Sequence, residues 1–254
     1  MLMQRLLLLS LAFVASFAAD GAEPPRHWEL TQTLPAAEAG QAAAADERFV
    51  YAITNTKVAR YDRRSGERLA VSEGAAEHLN SGFLWNDRLY CAHSNFPKTP
   101  EQSEIKVLDL MSMTLTTFHD FGASDGSLTW ALHKDDHWWC HFAFYGDDNL
   151  RSYLAKFDRD WREVQRWTLP QELIAKLGRF SLSGGVWVGE ELLVTGHDDP
   201  VVFRLRLPKS ERVLEFINAE AAPITGQGIA VDPVTNGLVG IHRQRKEVRF
   251  FRLR

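Results

Sequence analysis

The sequence predicts an all-β protein built from five copies of one four-stranded unit. Short runs rich in aromatic and β-branched residues, which favour strands, recur at nearly even spacing. These runs cover residues 49–54, 89–93, 138–144, 191–195 and 238–242. The chain also repeats internally, because residues 40–46 (GQAAAAD) match residues 226–232 (GQGIAVD) at both ends. A period of roughly 45 residues is typical of one blade of a β-propeller, and five blades account for residues 20–254.

Each unit begins with an inner strand that runs into a polar turn. The four alanines at residues 42–45 would by themselves favour a helix, but their match to residues 226–232 indicates a strand. In both copies an aspartate, Asp46 or Asp232, begins the turn that follows. The same order recurs at residues 81–87 and 184–190 and more loosely at 130–136. The sequence therefore predicts five inner strands.

The third and fourth strands of each unit follow across polar loops. Third strands are expected at residues 58–61, 105–110, 153–157, 201–205 and 248–251, and fourth strands at 68–71, 115–118, 164–169 and 213–217. The fifth unit lacks a fourth strand of its own, but residues 28–35 resemble the fourth strand at 161–170. We therefore expect an N-terminal outer strand to complete the last blade, with Leu30 beside the segment around Phe250, which is how a β-propeller closes.

Side-chain size supports this arrangement. Five inner strands that converge on one axis need small residues, and such residues occur at Gly82, Ala131, Gly185 and Gly228. The eight tryptophans are expected to fill the wedges between blades rather than to form a ligand platform. Cys91 and Cys140 lie in apolar runs of different blades, so we predict two buried free thiols.

The N-terminal segment has the pattern of a secretory signal. Arg5 precedes an apolar run at residues 6–19 that ends in small residues. We predict a signal peptide at residues 1–19, a single propeller domain at 20–254, and a periplasmic or secreted monomer. No later segment is apolar enough to span a membrane. With 29 basic and 33 acidic residues spread along the chain, nothing points to a nucleic-acid partner.

The order of blades separated by aspartate turns resembles the broad propeller superfamily that includes the gluconolactonase-like, NHL-repeat and quinoprotein-like families. This resemblance covers residues 20–254 and is generic, and it carries no family-specific motif by which catalytic residues could be transferred. Propeller folds support hydrolases, lyases, isomerases, receptors and scaffolds. The function must therefore be argued from a site.

Polar residues cluster where the predicted propeller opens. Loops that enter the inner strands and leave the second strands lie on one face, at the mouth of the channel. Four histidines lie at or just past the ends of second strands: His93, His141, His197 and His242. Four more polar residues lie near the starts of inner strands: Gln41, His78, Asn80 and Gln227.

These residues predict an axial metal site. His93, His197, His242 and Gln227 are expected to bind a divalent ion such as zinc or manganese. The arrangement resembles that of the metal-dependent propeller lyases, such as virginiamycin B lyase and oligogalacturonate lyase, which implies a Lewis acid that stabilises an enolate. One difficulty is register, since His141 comes one residue early and His197 one residue late, and strand side chains alternate faces. The competing interpretation is that each histidine satisfies its own loop.

The remaining residues complete two functional hypotheses. In the first, His78 and His141 act as catalytic acids or bases, and Gln41, Asn80 and Arg243 bind the substrate. The protein would then be a lyase, lactonase or cycloisomerase acting on a small or sugar-acid-like anion. In the second, the same mouth binds a small-molecule or carbohydrate-derived ligand, or a partner protein, without catalysis. A third possibility is a purely structural domain.

Overall fold

The chain folds into five four-stranded antiparallel sheets arranged as a β-propeller, as the sequence predicts. A computed structural model describes residues 26–254. The predicted signal segment lies outside the described residues. Among the residues described, no helix is both long and apolar enough to cross a membrane.

The strands follow the blades in chain order. Blade 1 contains β2 (Ala42–Ala45), β3 (Phe49–Ile53), β4 (Val58–Asp62) and β5 (Arg68–Val71). Blade 2 contains β6 (His78–Trp85), β7 (Arg88–Ser94), β8 (Gln102–Asp109) and β9 (Thr114–Ala123). Blade 3 contains β10 (Ser127–Lys134), β11 (His137–Ala143), β12 (Tyr153–Phe157) and β13 (Glu163–Thr168). Blade 4 contains β14 (Gly184–Val188), β15 (Glu191–Thr195), β16 (Val201–Arg206) and β17 (Glu215–Ala221). Blade 5 contains β18 (Ala230–Asp232), β19 (Gly237–His242), β20 (Glu247–Leu253) and β1 (Trp28–Pro35).

The two ends of the ring meet in blade 5. Strand β1 pairs antiparallel with β20, and Leu30 lies opposite Phe251, so the predicted closure is confirmed. The Trp28 indole donates a hydrogen bond of 2.9 Å to the buried Glu220 carboxylate in blade 4. The closing strand is therefore tied to the neighbouring blade as well as to its own sheet.

Small residues line the axis for the predicted steric reason. A Cβ atom added at Gly228 would lie 2.5 Å from the Cβ of Ala42, and one added at Gly185 would lie 2.8 Å from the Trp130 ring. A parallel bridge joins Ala42 of β2 to Gly228, which lies two residues before β18, so blades 1 and 5 are in direct contact there. The close approach of the inner strands leaves no room for larger side chains at these positions.

Aromatic side chains fill the wedges between blades. The Trp138 ring of blade 3 lies 5.4 Å from Tyr90 of blade 2, and Trp139 lies 5.1 Å from Trp187 of blade 4. Cys91 and Cys140 are buried and free, as predicted. Burial raises the pKa of the Cys91 thiol to about 12 and raises that of Cys140 as well. Both cysteines therefore serve as small core residues.

Blades 1 and 5 are also joined by a buried ion pair. The Arg63 guanidinium donates two hydrogen bonds, of 2.6 and 2.8 Å, to the two oxygens of Asp232. The Asp232 side chain is fully buried and that of Arg63 is 10% exposed. The guanidinium also lies 4.4 Å from the centre of the Phe250 ring. Asp232, which begins the repeated turn of blade 5, thus also links blade 5 to blade 1.

The main departure from the predicted strands is the inner strand of blade 5. It contains only Ala230–Asp232, although the repeat predicts an earlier start. Gly226 and Gln227 both have positive φ, 66° and 70°, and the Gln227 backbone N–H donates to the Gly196 carbonyl of blade 4. This segment is therefore bonded to blade 4 before the chain enters its own sheet. A short helix, α1 (Gln171–Leu177), precedes blade 4.

Candidate functional site

A small polar pocket of about 90 Å³ lies where the inner strands begin and the second strands end. We call this face the upper face and the cavity the axial pocket. All five blades contribute to its lining: Gln41, His78, Asn80, Phe96, Thr129, Tyr145, Phe180, Ser183, His197, Gln227 and Arg243. Six of the nine residues singled out in the sequence are therefore brought together, and His93, His141 and His242 are not among them.

His78 enters the pocket from the start of β6. Its Nδ1 lies 3.4 Å from the Nδ2 of Asn55, whose Oδ1 accepts a 2.6 Å hydrogen bond from Gln41. Because the Asn55 amide group donates, His78 Nδ1 is the acceptor and Nε2 carries the proton in the neutral ring. Burial, together with the charges of His197 and Arg243, lowers the pKa of His78. At neutral pH this imidazole is an uncharged donor through Nε2–H.

His197 lies two residues after the end of β15. Its Nδ1 lies 2.8 Å from the Asp198 carboxylate, close enough for a charge interaction but without the geometry of a hydrogen bond. The ring stacks on Phe180 with centroids 4.0 Å apart, and its backbone carbonyl accepts a 2.7 Å hydrogen bond from Gln227. The ring and the backbone of His197 are therefore both held in place, and a neutral imidazole has one nitrogen that can accept a proton.

Arg243 supplies a cation to the pocket. Its Nε donates to the Gly40 carbonyl at 3.0 Å, and its backbone N–H donates to Thr225 Oγ1 at 2.9 Å. Hydrogen bonds thus hold both the side chain and the backbone of Arg243 in place. Its Nη2 is buried and finds no hydrogen-bond partner among residues 26–254. Burial lowers the pKa of Arg243 and the nearby Asp198 carboxylate partly offsets this effect. A buried guanidinium nitrogen without a partner is suited to bind an anion.

The amide side chains form the rigid part of the pocket. The Asn80 side-chain amide donates a hydrogen bond of 2.8 Å to the Leu128 carbonyl of blade 3, and the Gln227 side-chain amide donates to the His197 carbonyl of blade 4. Each amide thus ties one blade to the next. Each of these amides has one N–H engaged in this way, so its second N–H and its carbonyl oxygen are left to meet a ligand.

The other three histidines are occupied elsewhere. His93 Nε2 accepts the Glu77 backbone N–H at 2.9 Å, and its Nδ1 lies 3.0 Å from Glu104 in a cleft between blades 1 and 2. His141 is fully buried against Trp130, and its Nδ1 lies 2.8 Å from the Thr129 hydroxyl. His242 ends β19 and does not line the pocket. All three are still within a strand, where alternation and packing between blades aim the side chain, whereas His197 has left its strand.

The predicted metal site does not assemble. Of its four expected ligands, only His197 and Gln227 reach the axial pocket. Over residues 26–254, no group of three or more His, Cys, Asp or Glu side chains is placed to hold a metal ion. Two imidazoles and several amides do not make the three-histidine centre that the sequence suggested. The residues of the pocket do fit acid–base chemistry and anion binding.

The aromatic residues that line the pocket, which we call the rim, were not predicted from the sequence. Phe96, Tyr145 and Phe180 line the pocket, and Phe96 contacts both His78 and Tyr145 edge to face. A positional signal exists, because Phe96, Tyr145 and His197 are each the second residue after a second strand. In blade 1 the equivalent residue is Asn55, which contacts His78. This position would have identified the rim had the strand ends been known.

Comparisons with known proteins show the fold alone. No protein-family model matches the chain, and the search of curated proteins found no relative. Among solved structures, Myxococcus xanthus glutaminyl cyclase superposes with a TM-score of 0.62 at 11% identity, covering 90% of this chain and 97% of that one. A chain of a mitotic checkpoint complex gives a TM-score of 0.49 at 12% identity, covering 96% and 98%, and supports no argument. The first of these likenesses is consistent with a propeller that spans the described chain.

Proposed function

We propose that the protein is an acid–base enzyme of the lyase, lactonase or cycloisomerase kind that acts on a small or sugar-acid-like carboxylate in the axial pocket. The observation that carries this proposal is the buried Nη2 of Arg243, which has no hydrogen-bond partner among residues 26–254, in a pocket that also contains the imidazoles of His78 and His197. An anion receptor beside a proton acceptor and a proton donor is what proton abstraction next to a carboxylate requires.

The roles proposed here differ from those expected from the sequence. His197, whose Nδ1 lies 2.8 Å from the Asp198 carboxylate, would remove the proton. In a lyase or cycloisomerase reaction the C–H bond breaks, its electron pair forms the enolate, and His197 holds the proton until it passes to the leaving group or to the product. In a lactonase reaction His197 would instead take a proton from the water that attacks the carbonyl carbon, and would return it to the ring oxygen as the ring C–O bond breaks. His78, which donates through Nε2–H, would stabilise the developing negative charge on oxygen. His141 has no part in this scheme, because it lies fully buried behind Thr129.

The charge of the pocket favours an anionic substrate. Within residues 26–254, no carboxylate lines the axial pocket itself, whereas Arg243 does. The structural neighbour from Myxococcus xanthus is a glutaminyl cyclase, and an N-terminal glutamine would bring an ammonium group next to this guanidinium. Since like charges repel in a partly buried site, a peptide with N-terminal glutamine is expected to be a poor substrate and serves as the comparison compound.

The test is an activity panel with matched variants. Purified wild type is incubated with uronic acids, aldonolactones, unsaturated dicarboxylates and a glutaminyl peptide, and products are followed by mass spectrometry. With any substrate found, Arg243→Gln should raise KM at least tenfold, since a charge-assisted hydrogen bond is lost, and His197→Asn should abolish kcat. Arg245→Gln, an exposed neighbour outside the pocket, is the control. Turnover that survives both His197→Asn and His78→Asn would contradict the proposal.

A non-catalytic role at the same pocket is the second candidate. It is supported by the engaged amides of Asn80 and Gln227, which make the cavity preformed and rigid. Here Arg243→Gln would abolish ligand binding measured by calorimetry, and no compound of the panel would be converted. Binding that persists in His197→Asn, together with absent turnover in wild type, would favour this alternative over catalysis.

Export and a monomeric state belong to the same proposal. The signal pattern at residues 1–19 supports export. N-terminal sequencing of protein from a periplasmic or culture fraction should begin near residue 20, and light scattering should give the mass of one chain. An N-terminus that retains residues 1–19 in the cytoplasm would contradict export.

A further inference from the structure

Two further cavities lie beside the axial pocket. A second cavity of about 370 Å³ shares Gln41 and Arg243 with the axial pocket. It shares Thr56 in turn with a cleft of about 430 Å³ between blades 1 and 2. The shared lining residues make the three cavities neighbours, and we call the three together the groove.

The floor of the groove is polar and joined to the pocket by hydrogen bonds. Asn55 and Thr56 are exposed along it, and Asn55 contacts both Gln41 and His78. Amide and hydroxyl groups of this kind pair readily with the hydroxyl groups of a ligand. A ligand that contacts Asn55 would therefore also contact the amide that lies beside His78 Nδ1.

The charge of the groove changes along its length. The inner part is basic, because Arg243 and the exposed Lys246 both line the second cavity. The outer cleft is mixed: its titratable lining residues are Lys57, Glu77, His93, Glu104, Lys106 and Asp120. There the Lys106 ammonium lies 2.8 Å from the Glu104 carboxylate and donates to Thr117, so these charges satisfy one another. The groove thus suits a ligand that is acidic at its inner end and uncharged farther out.

We propose that the groove binds an oligosaccharide whose acidic terminal unit occupies the axial pocket and whose next units lie on Asn55 and Thr56 and in the cleft between blades 1 and 2. This inference rests on the proposed function, because it takes Arg243 as the receptor of the carboxylate. The axial pocket is too small for more than the end of a chain. The ligand therefore binds end-on, and only its terminal unit needs to carry a charge.

The experiment measures how affinity depends on ligand length. Calorimetry is performed on the wild-type protein with glucuronic acid and with a disaccharide and a trisaccharide that carry glucuronic acid at one end. The trisaccharide should bind about tenfold more tightly than the monosaccharide, which corresponds to one or two added hydrogen bonds. The two possible positions of the acid, at the reducing and at the non-reducing end, are tested separately.

Two variants locate the outer units. Thr56→Trp should obstruct the groove and weaken the trisaccharide about tenfold, with a smaller effect on the monosaccharide. Lys246→Asn removes a cation at a residue of φ 54°, a conformation that asparagine tolerates. It should weaken the trisaccharide as well. Lys209→Asn, an exposed lysine that lines none of the three cavities, is the control and should change nothing.

Each outcome separates this inference from the proposed function. If the monosaccharide and the trisaccharide bind with equal affinity, binding along the groove is disproved and the axial carboxylate site is unaffected. The same holds if Thr56→Trp leaves the affinity for the trisaccharide unchanged. Tighter binding of an acidic tripeptide than of the trisaccharide would overturn the assigned ligand class. If no acid binds at any length, the proposed function fails and the inference fails with it.

Discussion

Replacing Arg63 with methionine tests how strongly the ring depends on the contact between blades 1 and 5. Methionine keeps an apolar stem of similar length against Phe250 but removes both hydrogen bonds to Asp232. Asp232 then retains only the Thr235 hydroxyl and the Val234 backbone N–H as donors. A carboxylate whose side chain is fully buried is left without its cation.

The expected loss follows from this burial. Breaking a buried ion pair by removing one partner costs about 3 to 5 kcal/mol, because the other charge stays desolvated. For a chain of this size that corresponds to a fall in Tm of about 10 °C. The Arg64→Met variant is the control, since Arg64 is exposed and next in sequence. Its expected change is within about 0.5 kcal/mol.

The free energy of unfolding is measured by urea titration followed by tryptophan fluorescence. The double variant Arg63→Met/Asp232→Asn should regain part of the loss, because no buried charge remains in it. A loss below about 1 kcal/mol in Arg63→Met, a value typical of an exposed pair, would refute the reasoning. So would a double variant whose loss equals the sum of the two single losses.

The pH dependence of the same variant has a definite sign. Burial raises the pKa of Asp232, but hydrogen bonds from Arg63, Thr235 and Val234 outweigh it, and the pKa lies below its usual value. The ionised carboxylate therefore stabilises the wild type above about pH 4, where the unfolded chain is also ionised, and this contribution disappears only as the pH falls through the folded pKa. In Arg63→Met the ionisation of the buried Asp232 opposes folding. The difference in the free energy of unfolding between wild type and Arg63→Met should therefore become smaller as the pH falls from 7 to 4.

Three further predictions concern buried groups. Burial lowers the pKa of His141 to about 3. Protonation thus favours the unfolded chain below about pH 6.5, and the wild type should lose about 3 kcal/mol through this group by pH 4. Urea titrations should show a smaller loss in His141→Gln, and equal losses would exclude His141 as the cause. Gly185→Ala should lower the free energy of unfolding by about 1 to 3 kcal/mol, because the new Cβ would lie 2.8 Å from the Trp130 ring. Gly40→Ala is the control, since its Cβ would meet no atom closer than 3.8 Å. Neither thiol should react with a disulfide reagent in the folded protein and both should react after unfolding, since burial raises the pKa of Cys91 and Cys140; labelling of the folded protein at the rate of a free thiol would disprove this.

The repeat and the closure of the ring could be predicted from the sequence because both depend on local patterns. Strand runs of period two, aspartate turns such as those at Asp46 and Asp232, and small residues on the axis recur at a fixed interval. The four alanines of β2 show why the repeat mattered, since their intrinsic preference is helical and the copy at the other end of the chain indicated a strand.

The make-up of the site was decided by the tertiary structure. The sequence alone identified the upper face and six residues of the pocket, but it could not tell that His197 reaches the axis while His93 and His141 do not. The physical reason is that side chains in a strand alternate between faces, so a strand end displaced by one residue reverses where each side chain points. The end of β15 at Thr195 leaves His197 free in a loop, whereas His93 and His141 remain within β7 and β11 and are aimed between blades.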